Sequence, residues 1–233
     1  MILEYLSNIE LYFCSSISKD EKTFQLVDEE YHHATKVMRK KKGDSIFATN
    51  GKGQIVEGVI NYIDKKSINV EIVNTFSYKN RLSNFTFCIP NLRNPDRLKF
   101  ALEKCVELGI TNFVLFNSER SVSKRFNLDR INKILLSAMK QSLQSYLPKV
   151  DIYDSVLKFG ELSVSKILFE QNSENKLVNQ KFDEAKNYYL IFGPEGGFSE
   201  KEFLDIQPTV ILNLAENRLR SETAIIKAAS LIS

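Results

Sequence analysis

Phe192-Gly193-Pro194-Glu195-Gly196-Gly197-Phe198 decides how the chain is read. It directly follows the apolar run Tyr188–Phe192 and precedes Ser199-x-x-Glu202, a capping box that opens a short helix. A glycine-rich turn between a strand and a helix lets backbone approach a ligand closely and allows positive φ. In α/β sheets that position, outside the carboxyl end of a strand, is where ligands bind. Pro194 fixes its own φ and offers no donor, which stiffens the loop. No Gly-Lys-Ser/Thr follows, and the spacing is not Gly-x-Gly-x-x-Gly, so neither a P-loop nor a dinucleotide fingerprint is present and a Rossmann dehydrogenase is remote.

A second loop has the same setting. Leu212-Asn213-Leu214-Ala215-Glu216-Asn217-Arg218-Leu219-Arg220-Ser221-Glu222-Thr223-Ala224 follows the apolar run Thr209–Leu214 and leads into a last helix ending near Ile232, with Ser221 as the expected cap. Arg218, Arg220 and the amides of that helix start suit an anion. A third loop, Ser118–Arg125, brings Arg120, Lys124 and Arg125 to the end of the strand Asn112–Phe116, a pattern suited to phosphodiester contacts.

Around these loops the second part of the chain alternates strands and helices. Phe85–Ile89 is a strand; Asn94-Pro95 caps a helix with core positions Leu98, Ala101, Leu102, Cys105 and Val106, stopped by Gly109. A second helix runs from Asn127 to about Ser145, and Ser165–Phe169 is another strand. This is an α/β domain with a mainly parallel sheet, over residues 80–233. Residues 1–75 read as a compact all-β domain or small β-barrel, with strands Ser45–Thr49, Gln54–Tyr62 and Ser67–Val73 and a helix over Asp28–Lys40. Asn50-Gly51 predicts a type I′ hairpin turn. The boundary falls in the polar stretch Phe76–Ser83.

Composition narrows the function. With 32 Lys+Arg against 29 Asp+Glu, the net charge is only +3, yet Lys36–Lys42 (KVMRKKK) concentrates basic residues, and a local patch matters more to nucleic-acid binding than the total. Two histidines (His32, His33) and three scattered cysteines (Cys14, Cys88, Cys105) make neither a zinc framework nor a disulfide framework. Nothing approaches a membrane span or an export signal, so a reducing cytoplasm is expected, with no membrane and no metal.

Taken together, these segments resemble the RsmE family, 16S rRNA uridine-N3 methyltransferases of the SPOUT (trefoil-knot) superfamily. The resemblance rests on His32…Val37-Met38-Arg39…Gly43-Asp44, on Glu103-Lys104-Cys105-Val106-Glu107-Leu108-Gly109, on Arg120-Ser121, Gln141-Ser142 and Pro148, and above all on Gly193–Gly197 with Arg218-Leu219-Arg220-x-Glu222-Thr223-Ala224. The chain departs from the pattern at Asn94, Lys140, Gln144 and Ala215. The resemblance implies a PUA-like β-barrel followed by a SPOUT α/β knot domain, S-adenosylmethionine as methyl donor, a homodimer, and 16S rRNA within the small ribosomal subunit as substrate. It implies cofactor contacts from Phe192, Gly193, Pro194, Glu195, Gly196, Gly197, Leu212, Leu214, Ala215, Asn217, Arg218 and Leu219. Arg220, with Arg120 from the partner subunit, is expected to steady charge on the uracil oxygens, with Glu222 as orienter or helix cap. Arg39, Lys40, Lys41 and Lys42, with Lys124 and Arg125, are expected to contact RNA. Cys105 is expected in the core rather than as a nucleophile. The alternatives are a related knot methyltransferase acting on tRNA or a ribose 2′-hydroxyl, and a noncatalytic RNA-binding protein of ribosome assembly.

Overall fold

The computed structural model describes residues 9–18, 21–121 and 125–233. The chain divides into two compact units, residues 1–80 with Met139–Leu147, and residues 81–138 with 148–233.

The first unit is a curled mixed sheet. Its elements are β1 (Leu11–Phe13), β2 (Thr23–Val27), α1 (Asp28–His32), β3 (Ser45–Thr49), β4 (Gln54–Ile63) and β5 (Ser67–Ser77). The strand order is β1-β3-β4-β5-β2, with β1 parallel to β3 and the other pairs antiparallel. Alternate residues of every strand face one core: Tyr12, Phe24 and Leu26, Ile46 and Ala48, Val56 and Ile60, Ile68 and Val70. Because one face supplies the whole core, the sheet wraps around it as a half-barrel. β1 and β2 escape sequence reading because each is short and flanked by polar residues. The helix expected over Asp28–Lys40 ends sooner. α1 widens into a π-type turn over His33–Val37, and Arg39 at φ 52° stops it.

The connection from β3 to β4 is not a two-residue type I′ turn. It spans residues 50–53, and the positive φ values belong to Gly51 (69°) and Gly53 (98°), not to Asn50. The Asn50 side-chain oxygen instead accepts from the amides of Lys52 (2.8 Å) and Gln54 (3.3 Å). This loop receives Met139–Leu147, which sequence alone assigns to the second domain. The Thr49 hydroxyl donates to the Ser145 carbonyl, the Leu147 amide donates to Gly51, and Lys140 pairs with Glu30 at 2.7 Å.

The second unit is a six-stranded parallel sheet. In chain order it comprises β6 (Phe85–Pro90), α2 (Pro95–Glu107), β7 (Asn112–Phe116), α3 (Leu128–Gln141, whose last turn belongs to the first unit), β8 (Lys149–Tyr153), α4 (Leu157–Gly160), β9 (Ser165–Phe169), β10 (Tyr188–Ile191), α5 (Glu200–Ile206), β11 (Val210–Leu212) and α6 (Ser221–Ile232). The order is β11-β9-β10-β6-β7-β8. Cys88, Val114, Phe116, Leu168 and Ile191 pack with Phe159 and Ile206 on one face, while the alternate residues Phe87, Ile89, Phe113, Leu115 and Leu190 are buried on the other. Burial of both faces is the reason these strands read as unbroken apolar runs.

Helix ends follow local chemistry. Asn94 caps α2, accepting from the Asp96 amide at 2.8 Å, and Gly109 at φ 89° closes it with the Ile110 amide on the Cys105 carbonyl. α3 stops four residues before the expected Ser145. There the same motif is built on Leu143 at φ 55°, with Gln144 donating to Met139. A leucine in that conformation leaves no sign in sequence. Ser221 is not the cap of α6; Arg220 holds that position without a side-chain bond.

Candidate active site

The glycine loop leaves β10 with Phe192 2% exposed, stacked on Phe169 from the end of β9 (ring centroids 4.9 Å apart). The Gly197 amide donates to the Pro194 carbonyl at 2.9 Å, closing a turn in which Gly197 has φ 69°. Gly196 is closely packed for a different reason. A Cβ there would lie 3.2 Å from Cβ of Arg120, whose Nη1 donates to the Gly196 carbonyl at 2.8 Å. Gly193 has neither constraint: a Cβ would meet only the Phe198 ring, at 3.6 Å.

The second loop is anchored by Asn213, which is 9% exposed. Its side-chain amide donates to the Gln171 carbonyl, its side-chain oxygen accepts from Ala215 at 2.6 Å, and its backbone carbonyl accepts from Leu177 at 3.0 Å. The loop after β9 is thereby fastened to the loop after β11.

These loops enclose a cavity of about 490 Å³ at the carboxyl ends of β9, β10 and β11, walled also by the first turns of α2 and α6. Apolar walls come from Phe169, Phe192, Leu214 and Ala224, and cations from Arg97, Arg218 and Arg220. Arg218 and Arg220 are exposed and carry no side-chain bond among the described residues. The acids are Glu170 and Glu195, with Glu222 alongside. Glu195 Oε1 accepts from the Arg93 amide at 3.2 Å, and Glu222 Oε1 lies 3.5 Å from Arg97 Nε. The second oxygen of each, Glu195 Oε2 and Glu222 Oε2, is buried with no hydrogen-bond partner among the described residues. Partial burial raises the Glu170 carboxyl above its ordinary value.

The strand order runs outward from β6 through β7 and β8, then crosses to the other side of β6 with β9, and β10 fills the place between them, so the cavity sits beside a reversal of the sheet. That is where α/β proteins hold ligands. A cavity of this size, lined by apolar and polar groups in similar measure, takes a small molecule with both an apolar part and a polar or charged one. Among the described residues no group of His, Cys, Asp or Glu is placed to hold a metal ion, and no helix is long and apolar enough to cross a membrane.

A family model described as RNA methyltransferase domain matches residues 80–233, and a second, RNA methyltransferase PUA domain, matches residues 26–73. The chain belongs to this family of RNA methyltransferases. Ribosomal RNA small subunit methyltransferase E of Bacillus subtilis is 26% identical over 229 residues, 91% of this chain and 90% of that one. The Borreliella burgdorferi protein named ribosomal RNA small subunit methyltransferase E 1 is 29% identical over 221 residues, 89% of this chain and 90% of that one. The crystal structure of ribosomal RNA small subunit methyltransferase E from Neisseria gonorrhoeae, bound to S-adenosyl methionine, superposes with a TM-score of 0.83 at 25% identity and 95% coverage of each chain. The half-barrel and parallel sheet are accordingly the PUA-like and SPOUT-type parts expected from the sequence.

In the methyltransferase, Phe192, Gly193, Pro194, Glu195, Gly197, Leu214, Ala215, Asn217, Arg218, Leu219 and Arg220 all line the cavity. Gly196 turns toward Arg120 and Leu212 is buried within β11, so neither is among the lining residues. Sequence reasoning did not find Phe169, Glu170 and Gln171, which have no motif of their own. Nor did it find Arg97 and Asn213, although both lie within stretches it had marked. Arg39, Lys41 and Lys42 are exposed on the first unit between the π-type turn and β3, whereas the Lys40 ammonium is partly used, donating to the Ser45 carbonyl at 2.8 Å. Arg125 is exposed; Lys124 lies outside the described residues.

Proposed function

We propose that this methyltransferase transfers a methyl group from S-adenosylmethionine to N3 of a uridine in the decoding region of 16S rRNA, acting as a cytoplasmic homodimer on the assembled small subunit. The observation that carries the reading is the cavity at the carboxyl ends of β9, β10 and β11, formed by the two loops with the most specific family motifs.

The residues present suit that cofactor. The flat aromatic and aliphatic walls of Phe169, Phe192 and Leu214 match an adenine ring, and the loop backbones offer groups to its polar edge. The orphaned, buried oxygen of Glu195 calls for a hydrogen-bond donor or cation from a ligand. When bound, the sulfonium supplies an already activated methyl group.

What the chain must add is alignment, proton removal and charge stabilisation. N3 of uridine is protonated and lies on the pairing edge, so the base has to be unpaired and brought in edge-first. As the N3 proton leaves, negative charge develops on the uracil oxygens. Arg220, at the cavity wall and without another side-chain bond among the described residues, would meet that charge. Glu222, braced by Arg97, orients this wall. Glu195 and Glu222 each keep one buried carboxylate oxygen open to receive a proton. Arg120 of this chain lies on its own glycine loop; its remaining guanidinium donors stay available to RNA. The exposed cations Arg39, Lys41, Lys42 and Arg125 supply backbone contacts.

The test is mass spectrometry of 16S rRNA from a strain lacking the gene. Loss of one 3-methyluridine, restored by complementation, supports the reading; an unchanged 16S rRNA overturns it. A lost methyl group on tRNA or on a ribose would favour the related activities instead.

A further inference from the structure

Glu202 is a carboxylate on α5 with no cation beside it among the described residues, and it is only 2% exposed. Its two oxygens are both committed to backbone. Oε2 accepts from the Ser199 amide at 3.0 Å, completing the capping box, in which the Ser199 hydroxyl accepts from the Glu202 amide at 3.2 Å. Oε1 does something a capping box does not need: it accepts from the amide of Glu119, in the loop after β7, at 2.8 Å. The next residue, Arg120, lies across Gly196 and donates to its carbonyl. The loop after β7 is therefore joined to the glycine loop twice, through Glu202 just beyond Phe198 and through Arg120 at Gly196.

Burying a carboxylate is costly unless charge-assisted hydrogen bonds replace its water, and two backbone amides do that here. If capping were its whole task, an exposed glutamate would serve. The position of Glu202, buried and bridging two loops, suits a group that holds the glycine loop in one shape before a ligand arrives.

We infer that Glu202 is a positioning residue for the cofactor site: through Glu119 and Arg120 it holds the glycine loop in its ligand-ready form, and it links that loop to the loop after β7. The inference rests on the proposed use of S-adenosylmethionine. A loop already in its bound shape does not lose that ordering entropy on binding, so loosening either tie weakens the ligand without removing any ligand contact.

The test measures S-adenosylhomocysteine affinity by calorimetry, with a thermal melt of the unliganded protein, for the parent, Glu202→Gln, Arg120→Ala and the double variant. Glutamine at 202 can still accept from one amide but not from both. Each single variant should bind roughly five- to twentyfold more weakly. The double variant should fall short of the product of the two, because both ties hold the same loop. In steady-state methylation the cofactor KM should rise more than kcat falls. Arg120 is exposed, so its variant keeps the inference testable if Glu202→Gln does not fold. A parent that binds while both single variants match it, even with a lowered melting temperature, overturns this inference alone. A parent that does not bind overturns the cofactor assignment and this inference with it.

Discussion

Arg97 Nε lies 3.5 Å from Glu222 Oε1, joining the first turn of α2 to the first turn of α6 across the wall of the cavity. Glu222 is only 13% exposed at its side chain, so the pair is better shielded than a surface ion pair, and its acid lies where the α6 dipole favours negative charge. Sequence reading expects the glutamate as an orienter or helix cap; the cap position of α6 belongs to Arg220, and the contact the structure adds is the pair with Arg97. Removing either partner should displace the wall that carries Arg220. Glu222→Gln and Arg97→Ala are each expected to lower the methylation rate roughly ten- to a hundredfold. The double variant should be no worse than the poorer single one, as a rate comparison on small subunits would establish.

Arg220→Ala removes the guanidinium placed to meet the developing uracil charge. Turnover should fall about a hundredfold, with S-adenosylhomocysteine affinity nearly unchanged. A variant that folds and methylates at the parent rate would remove the arginine from the mechanism.

The exposed cations of the first unit predict a salt effect. Replacing Arg39, Lys41 and Lys42 together by alanine should weaken RNA binding and flatten the plot of log affinity against log salt by about 0.7 per lost contact. Lys40 is left in place because its ammonium holds the Ser45 carbonyl. Cofactor affinity should not change, which calorimetry without RNA would verify.

Gly51→Ala tests how the first unit receives residues 139–147. The new Cβ would lie 2.9 Å from the Leu147 Cβ and from the Phe13 ring, on a backbone at φ 69°. Strain and overpacking together should cost about 2 kcal/mol or more, lowering the melting temperature by roughly 4–8 °C. An unchanged melt would mean that the segment is not held against this turn.

Alkaline stability follows from acids whose neutral form burial favours. Burial raises the Cys105 thiol well above its ordinary 9.0 and pushes the Tyr153 phenol up to about 12 from 10.0. Each group keeps its proton longer in the folded state than in the unfolded chain. Their contributions are therefore intact below about pH 9 and are lost as pH rises, for Tyr153 between 10 and 12. Urea midpoints should decline from about pH 9 upward, and Cys105 should resist alkylation at pH 8 until the protein unfolds. Rapid modification of the folded protein would contradict the core placement of this thiol.

Sequence alone determined much of this protein, because much of it is local chemistry. The apolar runs of β6, β7, β9 and β10 are legible since a doubly buried parallel strand has no polar face to interrupt it. Asn94-Pro95, Gly109 and the Ser199–Glu202 box mark helix ends through bonds spanning only a few residues. The glycine loop and the Arg218–Arg220 loop were recognisable because each carries a contiguous motif of the family. The tertiary structure decided what depends on distant pairing. Leu143 ends α3 in a conformation usually left to glycine, and residues 139–147 then join the first unit through contacts some ninety residues away in sequence, such as Thr49 to Ser145. Phe169–Gln171 became part of the site only because Asn213 fastens that loop to its own. Glu202 had a visible role as a cap, but its hold on Glu119 is 83 residues away in sequence. No local pattern encodes such a bond, since either partner acquires its meaning only when the sheet brings the two loops together.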